Sequence, residues 1–296
     1  MRRRVRGRGD LPRAGARPLS TDLARSGGLR VVILGSGTLV PVATRGPAGY
    51  AVEAGSEILV LDGGSGTLRR LAQAEIDYRA IDHLFYTHLH PDHTGDLVPF
   101  LFAQRYLPEG ARTRDLALHG PPGFAAFFDQ LRPIYGRWIE GPGYTVRVRE
   151  LWEAQTQVGS VSVEAVPMRH SVPAVGYRLT ASDGTTCAYT GDTDVTEAVV
   201  ELARDVDLLI ADSAMPDAHK MDGHLTPGLV GELASAARAR LVCLTHFYPA
   251  CDQVDVVAQC RRTYAGPVVA ASDLMSIELL GPAIAARVLP PPADRA

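Results

Sequence analysis

The segment from Thr87 to His93 constrains this chain more than any other part of the sequence. It contains three histidines and an aspartate within six residues, although the whole chain has only nine histidines. Imidazole and carboxylate groups together are typical ligands of zinc, with manganese and iron as alternatives. Histidines two positions apart on an extended or turning backbone can point the same way, as ligands of one ion must. We therefore predict that His88, His90, Asp92 and His93 bind metal.

Short apolar runs separated by glycine-rich turns follow one another from residue 29 onwards. Most are short and rich in Val, Ile, Leu and Tyr, which is typical of strands. They lie at 30–34, 48–54, 57–61, 82–87, 115–119, 143–151, 160–167, 175–180, 185–190, 207–211, 241–245 and 267–271. Helical patterns lie at 67–75, 95–106, 122–131, 195–203, 227–238 and 252–264. The uneven mixture predicts an α/β fold with two sheets face to face and helices outside, a four-layer αββα sandwich.

The charge is distributed unevenly, and this suggests where the folded part begins. Residues 1–30 contain nine arginines and two acidic residues, a balance of +7, which leaves −10 for the rest of the chain. We predict a disordered arginine-rich tail over 1–28, because it has no apolar periodicity with which to dock. A single folded domain is predicted over 29–285, followed by a C-terminal tail over 286–296.

Partners and compartment follow from the same composition. An acidic body is a poor generic binder of nucleic acid, because neutralising phosphates needs Lys and Arg. No run approaches the roughly 18 apolar residues of a membrane span, so no membrane association is predicted. The four cysteines show no CxxC spacing and are predicted to be reduced thiols of a cytoplasmic protein.

Three further metal ligands are predicted from single residues. His170, Asp192 and His246 each follow a run predicted as a strand. Taken alone, each would more often be a turn residue or a surface histidine. Their shared position at the carboxyl ends of strands, where sites gather in layered α/β folds, favours a role as ligands.

In this order, the motif and the three single residues resemble the metallo-β-lactamase superfamily, and most closely its ribonuclease Z-like and phosphodiesterase branch. The resemblance runs from about residue 30 to residue 280. The segment 168–173 reads Met-Arg-His-Ser-Val-Pro, unlike the Gly-His-Thr-Pro-Gly-His of β-lactamases, glyoxalases and lactonases. Other matching segments are the glycine-rich loop 34–41, Asp-Gly at 62–63, Gly-Tyr-Arg at 176–178, Thr-Gly-Asp-Thr at 190–193 and His-Leu-Thr at 224–226.

The resemblance implies a site for two divalent ions, most readily Zn²⁺, with Mn²⁺ or Fe as alternatives. One ion would be held by His88, His90 and His170, the second by Asp92, His93 and His246, and Asp192 would bridge them. Two such ions can share a hydroxide and stabilise an in-line displacement at phosphorus. Asp62 is expected to orient a ligand histidine, with a plain turn aspartate as the alternative.

His224 is the predicted proton donor to the leaving oxygen, since histidine suits acid–base chemistry near neutral pH. Asp212, at the end of a predicted strand, is expected to orient His224 and to act with Asp92 among the catalytic residues. The alternative for His224 is capping of the helix that begins after residue 226. His83, His119 and His219 are expected to be surface or turn residues.

The resulting functional hypothesis is a phosphodiesterase acting on small or cyclic phosphodiesters. A ribonuclease Z-type tRNA 3′ endonuclease, a lactone, ester or thioester hydrolase, and a non-catalytic scaffold remain as alternatives. Ribonuclease Z enzymes commonly carry a long tRNA-gripping arm between the third metal histidine and the bridging aspartate. Here only 21 residues separate His170 from Asp192, which disfavours RNA as the substrate. The resemblance also implies a homodimer.

Overall fold

Two β-sheets with helices outside them make up the part of the chain that the computed structural model describes, residues 28–106, 112–281 and 286–292. The first sheet contains β1 (Leu29–Gly35), β2 (Gly49–Ala54), β3 (Glu57–Gly63), β4 (His83–Phe85), β5 (Leu116–Gly120), β6 (Val146–Glu150), β14 (Ser276–Leu279) and β15 (Arg287–Leu289). The second contains β7 (Ala154–Val158), β8 (Val161–Met168), β9 (Ala174–Thr180), β10 (Thr186–Tyr189), β11 (Leu208–Asp212), β12 (Val242–Thr245) and β13 (Val268–Ala270). Their spatial orders are β15-β14-β1-β2-β3-β4-β5-β6 and β13-β12-β11-β10-β9-β8-β7.

The helices lie between these strands along the chain. They are α1 (Thr67–Gln73), α2 (Pro91–Thr94), α3 (Leu97–Arg105), α4 (Phe124–Tyr135), α5 (Glu197–Leu202), α6 (Pro227–Ala237) and α7 (Val256–Cys260). Short 3₁₀ turns lie at Tyr78–Ala80, Gly136–Trp138, Asp217–His219 and Pro249–Gln253. Among the residues that are described, no helix is both long and apolar enough to cross a bilayer.

The strand β1 shows how the layers are built. Val31 and Ile33 point into the core between the sheets, whereas Val32 and Leu34 pack into a second core with Leu71 of α1 and with side chains of α3 and α4. Because both faces of the strand are covered, its sequence is a continuous apolar run rather than an alternating one. This arrangement confirms the predicted four-layer αββα sandwich.

Parallel pairing gathers the functional side chains at one edge. In the second sheet β10, β11 and β12 are parallel neighbours, so the segments that leave their carboxyl ends start side by side. In the first sheet β3 is parallel to β4, with the same consequence for the motif after β4. The Val175 backbone N–H donates to the Thr87 carbonyl at 2.9 Å, which joins the two sheets at this edge.

The structure extends the predicted fold at its margins. Strands β7, β14 and β15 were not predicted: β7 is a polar edge strand, and the other two are four and three residues long. Beyond residue 285, where the domain was predicted to end, β15 pairs antiparallel with β14. The predicted tail over 1–28 lies outside the described residues except for Gly28.

Candidate metal centre

The seven side chains predicted as ligands come together at this edge, with His224 and Asp212 beside them. Their donor atoms form overlapping groups, within each of which the atoms lie within 4.8 Å of one another. The groups are His88, His90, His170 and Asp192; Asp92, His93 and His246; and Asp192, Asp212, His224 and His246. His88, His90 and His170 therefore lie in one group, and His93 lies with His246 in another.

Asp192 stands between the two histidine groups and turns one carboxylate oxygen towards each. Its Oδ2 lies 3.7 Å from His88 Nε2 and 3.9 Å from His170 Nε2. Its Oδ1 lies 3.3 Å from His93 Nε2 and 3.4 Å from His246 Nε2. Asp192 is thus the carboxylate that lies next to both histidine groups.

The motif after β4 changes direction at His90, and this separates its ligands. His90 is the N-cap of α2 in an extended conformation, and Pro91 occupies the first helical position, where its missing N–H costs nothing. His88 and His90 precede the turn, with their Nε2 and Nδ1 atoms 3.0 Å apart. His93 follows the turn, and its Nε2 lies 3.4 Å from His246 Nε2.

Asp62 fixes the ring of His93 from behind, at the end of β3. Its carboxylate accepts hydrogen bonds from His93 Nδ1 at 2.8 Å, from the Thr87 backbone N–H at 2.7 Å and hydroxyl at 2.9 Å, and from the Tyr189 hydroxyl at 2.8 Å. With Nδ1 held in this way, His93 presents Nε2 to Asp192. Carboxylate contacts of this kind set the tautomer and orientation of ligand histidines. The Tyr189 contact was missed, since a strand tyrosine carries no sequence signal for it.

Removing this contact should weaken the site. We expect Asp62→Ala to reduce metal affinity by about 10- to 100-fold, because His93 loses its orienting partner. The melting temperature should also fall, since the Thr87 N–H and the Tyr189 hydroxyl lose a buried acceptor. Zinc titration and thermal melts measure both effects. Asp96→Ala, which removes a carboxylate bonded to the Leu68 N–H, is a control outside the ligand set; an equal loss of zinc affinity there would contradict the assignment.

His224 and Asp212 form a buried pair beside the ligands. Asp212 Oδ2 accepts a hydrogen bond from His224 Nδ1 at 2.9 Å, while its Oδ1 lies 3.6 Å from His246 Nδ1. The His224 and His246 rings stack with their centroids 5.5 Å apart. Burial lowers the pKa of His224, but the hydrogen bond to Asp212 and the charges of Asp212 and Asp192 outweigh it and raise the pKa above its usual value.

The electrostatics of the centre favour bound cations. Burial opposes ionisation of Asp192, yet His246, His93 and His88 hold its pKa well below the usual range. Burial likewise opposes protonation of His93, but Asp192 and Asp62 raise its pKa to about 10. Buried carboxylates are costly without positive charge beside them, and divalent ions would supply that charge in place of protons on the histidines.

Buried polar atoms without a hydrogen-bond partner also indicate a site for metal ions. Asp192 Oδ1, Asp212 Oδ1 and His246 Nδ1 have no hydrogen-bond partner among the described residues. Three imidazoles with a carboxylate, and two imidazoles with carboxylates, are both donor sets in which zinc is bound. The residues present therefore fit two divalent ions.

The remaining histidines lie outside the centre. His219 is exposed in a 3₁₀ turn, as expected. The expectation for His119 was wrong: its ring is 1% exposed, stacks on Phe85 at a centroid distance of 4.2 Å and lies 3.2 Å from His83 across Nε2 and Nδ1. A stacked histidine in an inter-sheet core has no spacing signal in the sequence.

The family model described as a beta-lactamase superfamily domain matches residues 58–247, which span the ligands from the first motif to His246. The chain belongs to this superfamily. It is a metal-dependent hydrolase with the metallo-β-lactamase fold.

Known members of the superfamily are similar along most of the chain. Ribonuclease Z from Haloferax volcanii is 28% identical over 308 residues, covering 85% of this chain and 95% of the relative. The crystal structure of the short form of human tRNase Z is 25% identical, with a TM-score of 0.68, covering 84% and 98%. The metallo-β-lactamase fold protein YhfI from Bacillus subtilis, at 21% identity and a TM-score of 0.74, covers 85% and 99% and supports the fold.

Proposed function

We propose that this member of the superfamily is a two-metal phosphodiesterase that acts on small or cyclic phosphodiesters. The observation that carries the proposal is the buried His224–Asp212 pair beside Asp192, with a 2.9 Å hydrogen bond. A phosphodiester with an alkoxide leaving group needs a proton donor at that oxygen. A dedicated donor is less necessary for hydrolysing activated carboxylic esters or lactones.

The ligand sets follow the geometry of the centre. The first ion would be held by His88, His90 and His170, the second by Asp92, His93 and His246, with Asp192 shared. Two divalent ions so held would supply Lewis-acid activation of water and of the phosphoryl oxygens. Zinc suits the imidazole-rich set best, with manganese and iron as alternatives.

Asp212 would orient His224, and His224 would protonate the leaving oxygen. Asp212 occupies Nδ1 of His224, so Nε2 is the nitrogen left to give its proton to the leaving oxygen. The raised pKa of His224, produced by Asp212 and Asp192 against the effect of burial, favours the protonated donor. Asp212 would also hold the ring of His246, through Oδ1.

The short segment between His170 and Asp192 favours small substrates. That stretch is filled by the antiparallel hairpin β9–β10, which leaves no room for a long arm. The alignment with Haloferax ribonuclease Z is 308 positions long, although only 85% of the 296 residues of this chain take part in it. The relative therefore contains segments that have no counterpart in this chain. The balance of −10 outside the arginine-rich segment adds unfavourable long-range interaction with a polyanion.

A substrate panel tests the proposal. Bis-p-nitrophenyl phosphate, 3′,5′-cyclic AMP, a precursor tRNA and a homoserine lactone would be compared by kcat/KM with the zinc-loaded protein. We expect the small phosphodiesters to exceed the tRNA by at least about tenfold, a difference of roughly 1.4 kcal/mol. Turnover of the lactone alone would instead place the protein among the carbonyl hydrolases.

Ribonuclease Z activity is the second candidate, favoured by the relatives that bear that name. The nine arginines of residues 1–30 could bind RNA in place of an arm. Deleting the tail separates the possibilities. Efficient 3′ processing of precursor tRNA by the shortened protein, at physiological salt, would overturn the preference for small substrates.

A cytoplasmic location and a homodimer belong to the proposal as well. All four cysteines are buried free thiols, which suits a reducing compartment. The homodimer rests on the resemblance, and light scattering of the purified protein measures it.

A further inference from the structure

The loop from Asp217 to His224 joins two parts of the centre. Its last residue is His224, and the carbonyl of the preceding Gly223 accepts a hydrogen bond from His170 Nδ1 at 2.9 Å. Gly223 has φ +80, and a Cβ there would lie 3.2 Å from His170 Nδ1. The position of one peptide unit therefore affects both a proposed ligand and the proposed proton donor.

Asp194 holds the preceding peptide, which contains the Gly223 N–H. Its Oδ2 accepts the Gly223 N–H at 2.9 Å, while its Oδ1 accepts the Val195 N–H at 2.7 Å. Its own backbone N–H donates to the Arg169 carbonyl at 2.7 Å, next to His170. Asp194 thus bonds to Gly223 and to Arg169, the residue before His170. It is therefore connected to the backbone at both ends of the His170–Gly223 hydrogen bond.

Lys220, the only lysine in the chain, completes the arrangement. Its Nζ lies 3.0 Å from Asp194 Oδ2 and 2.6 Å from the Met221 carbonyl. The ammonium therefore bonds to the same carboxylate oxygen as Gly223 and to the loop backbone.

We propose that the Asp194–Lys220 ion pair is a positioning device that fixes the backbone at Gly223, and through it orients His170 for the first ion and His224 for the leaving oxygen. The proposal rests on the proposed function. It assigns neither residue a contact with substrate. Asp194 and Lys220 act through Gly223, whose N–H and C=O connect the ion pair to the ring of His170.

The competing role for Lys220 is direct binding of the substrate phosphoryl group, since an ammonium near a phosphodiester site can do so. The two roles differ in what Asp194 does. As a positioning residue, Asp194 is needed, so Asp194→Asn should resemble Lys220→Met. For a substrate-binding lysine, Asp194→Asn would free the ammonium and leave phosphodiester kcat/KM unchanged or higher.

The experiment compares the affinity of each variant for Zn²⁺, by competition with a chelating dye, and kcat and KM with bis-p-nitrophenyl phosphate and cyclic AMP. We expect Lys220→Met and Asp194→Asn each to lower the affinity for one of the two zinc ions by about 10- to 100-fold. Each should also lower kcat by a larger factor than it raises KM. The double variant should lose little more than either single variant, and Lys220→Arg should recover much of the loss. Arg238→Met, which breaks an exposed ion pair with Asp205 elsewhere, is the matched control and should change neither quantity.

Unchanged zinc affinity in Asp194→Asn, with a raised KM in Lys220→Met alone, would overturn the proposal in favour of phosphoryl binding. If Lys220→Met fails to fold, Asp194→Asn and Lys220→Arg still decide it by the same two measurements. If the wild-type protein hydrolyses no phosphodiester, the proposed function fails, whereas the zinc affinities still test the positioning role.

Discussion

Asp192→Ala is expected to lose both divalent ions and to lower turnover by at least about 10³-fold. Lewis-acid stabilisation of transition-state charge by bound ions is worth several kcal/mol, and each 1.36 kcal/mol is a factor of ten in rate. The structural reason is the position of Asp192, whose Oδ2 faces His88 and His170 while its Oδ1 faces His93 and His246. Both groups lose the carboxylate that they share when this one residue is shortened.

Elemental analysis after dialysis against zinc measures the effect, together with turnover of bis-p-nitrophenyl phosphate. The wild-type protein should hold about two ions per chain, as a dinuclear centre does. Asp205→Ala is a suitable control, because it removes an exposed aspartate remote from the ligands. Two equivalents of zinc in Asp192→Ala would show that this carboxylate is not shared.

His246→Ala should affect the affinities for the two ions differently. His246 belongs to the groups around Asp92 and Asp212, whereas the first group consists of His88, His90, His170 and Asp192. We expect the second ion to be weakened and the first to remain close to its wild-type affinity. Loss of both ions in His246→Ala would mean that the two ions bind only together.

Some residues of the site could be predicted from short segments of the sequence. His88, His90, Asp92 and His93 are recognisable because their spacing and the proline at 91 define a strand end and a helix start within a few residues. His170, Asp192 and His246 could be added because parallel strands bring their carboxyl ends to one edge. Both arguments use short-range pattern and a general rule of sheet topology.

Other parts of the site depend on contacts that no spacing reveals. Asp194 and Lys220 meet across 26 residues, and the Gly223 peptide between them is a hydrogen-bonding group common to every residue. Tyr189 reaches Asp62 across 127 residues. The polar edge strand β7 lacks the apolar alternation by which strands are recognised, so its pairing with β8 is visible only in the structure.

His224→Ala is expected to lower turnover of cyclic AMP by about 10²–10⁴-fold while both ions stay bound, since loss of a general acid has an effect of this size. The residue lies in one group with Asp192, Asp212 and His246, but its Nδ1 is bonded to Asp212 and neither proposed ligand set includes it. Its removal should therefore affect chemistry rather than metal content. Elemental analysis of the variant checks the second half of this expectation.

The dependence on the leaving group distinguishes a proton donor from a residue that shapes the site. Nitrophenolate leaves readily without a proton, whereas the ribose alkoxide released from cyclic AMP does not, so the loss should shrink for bis-p-nitrophenyl phosphate. His219→Ala is the matched control, because it is an exposed histidine five positions earlier in the same loop and should leave both rates unchanged. An equal loss on both substrates in His224→Ala would show that His224 binds or shapes the site, and the observation on which the phosphodiesterase proposal rests would then no longer support it.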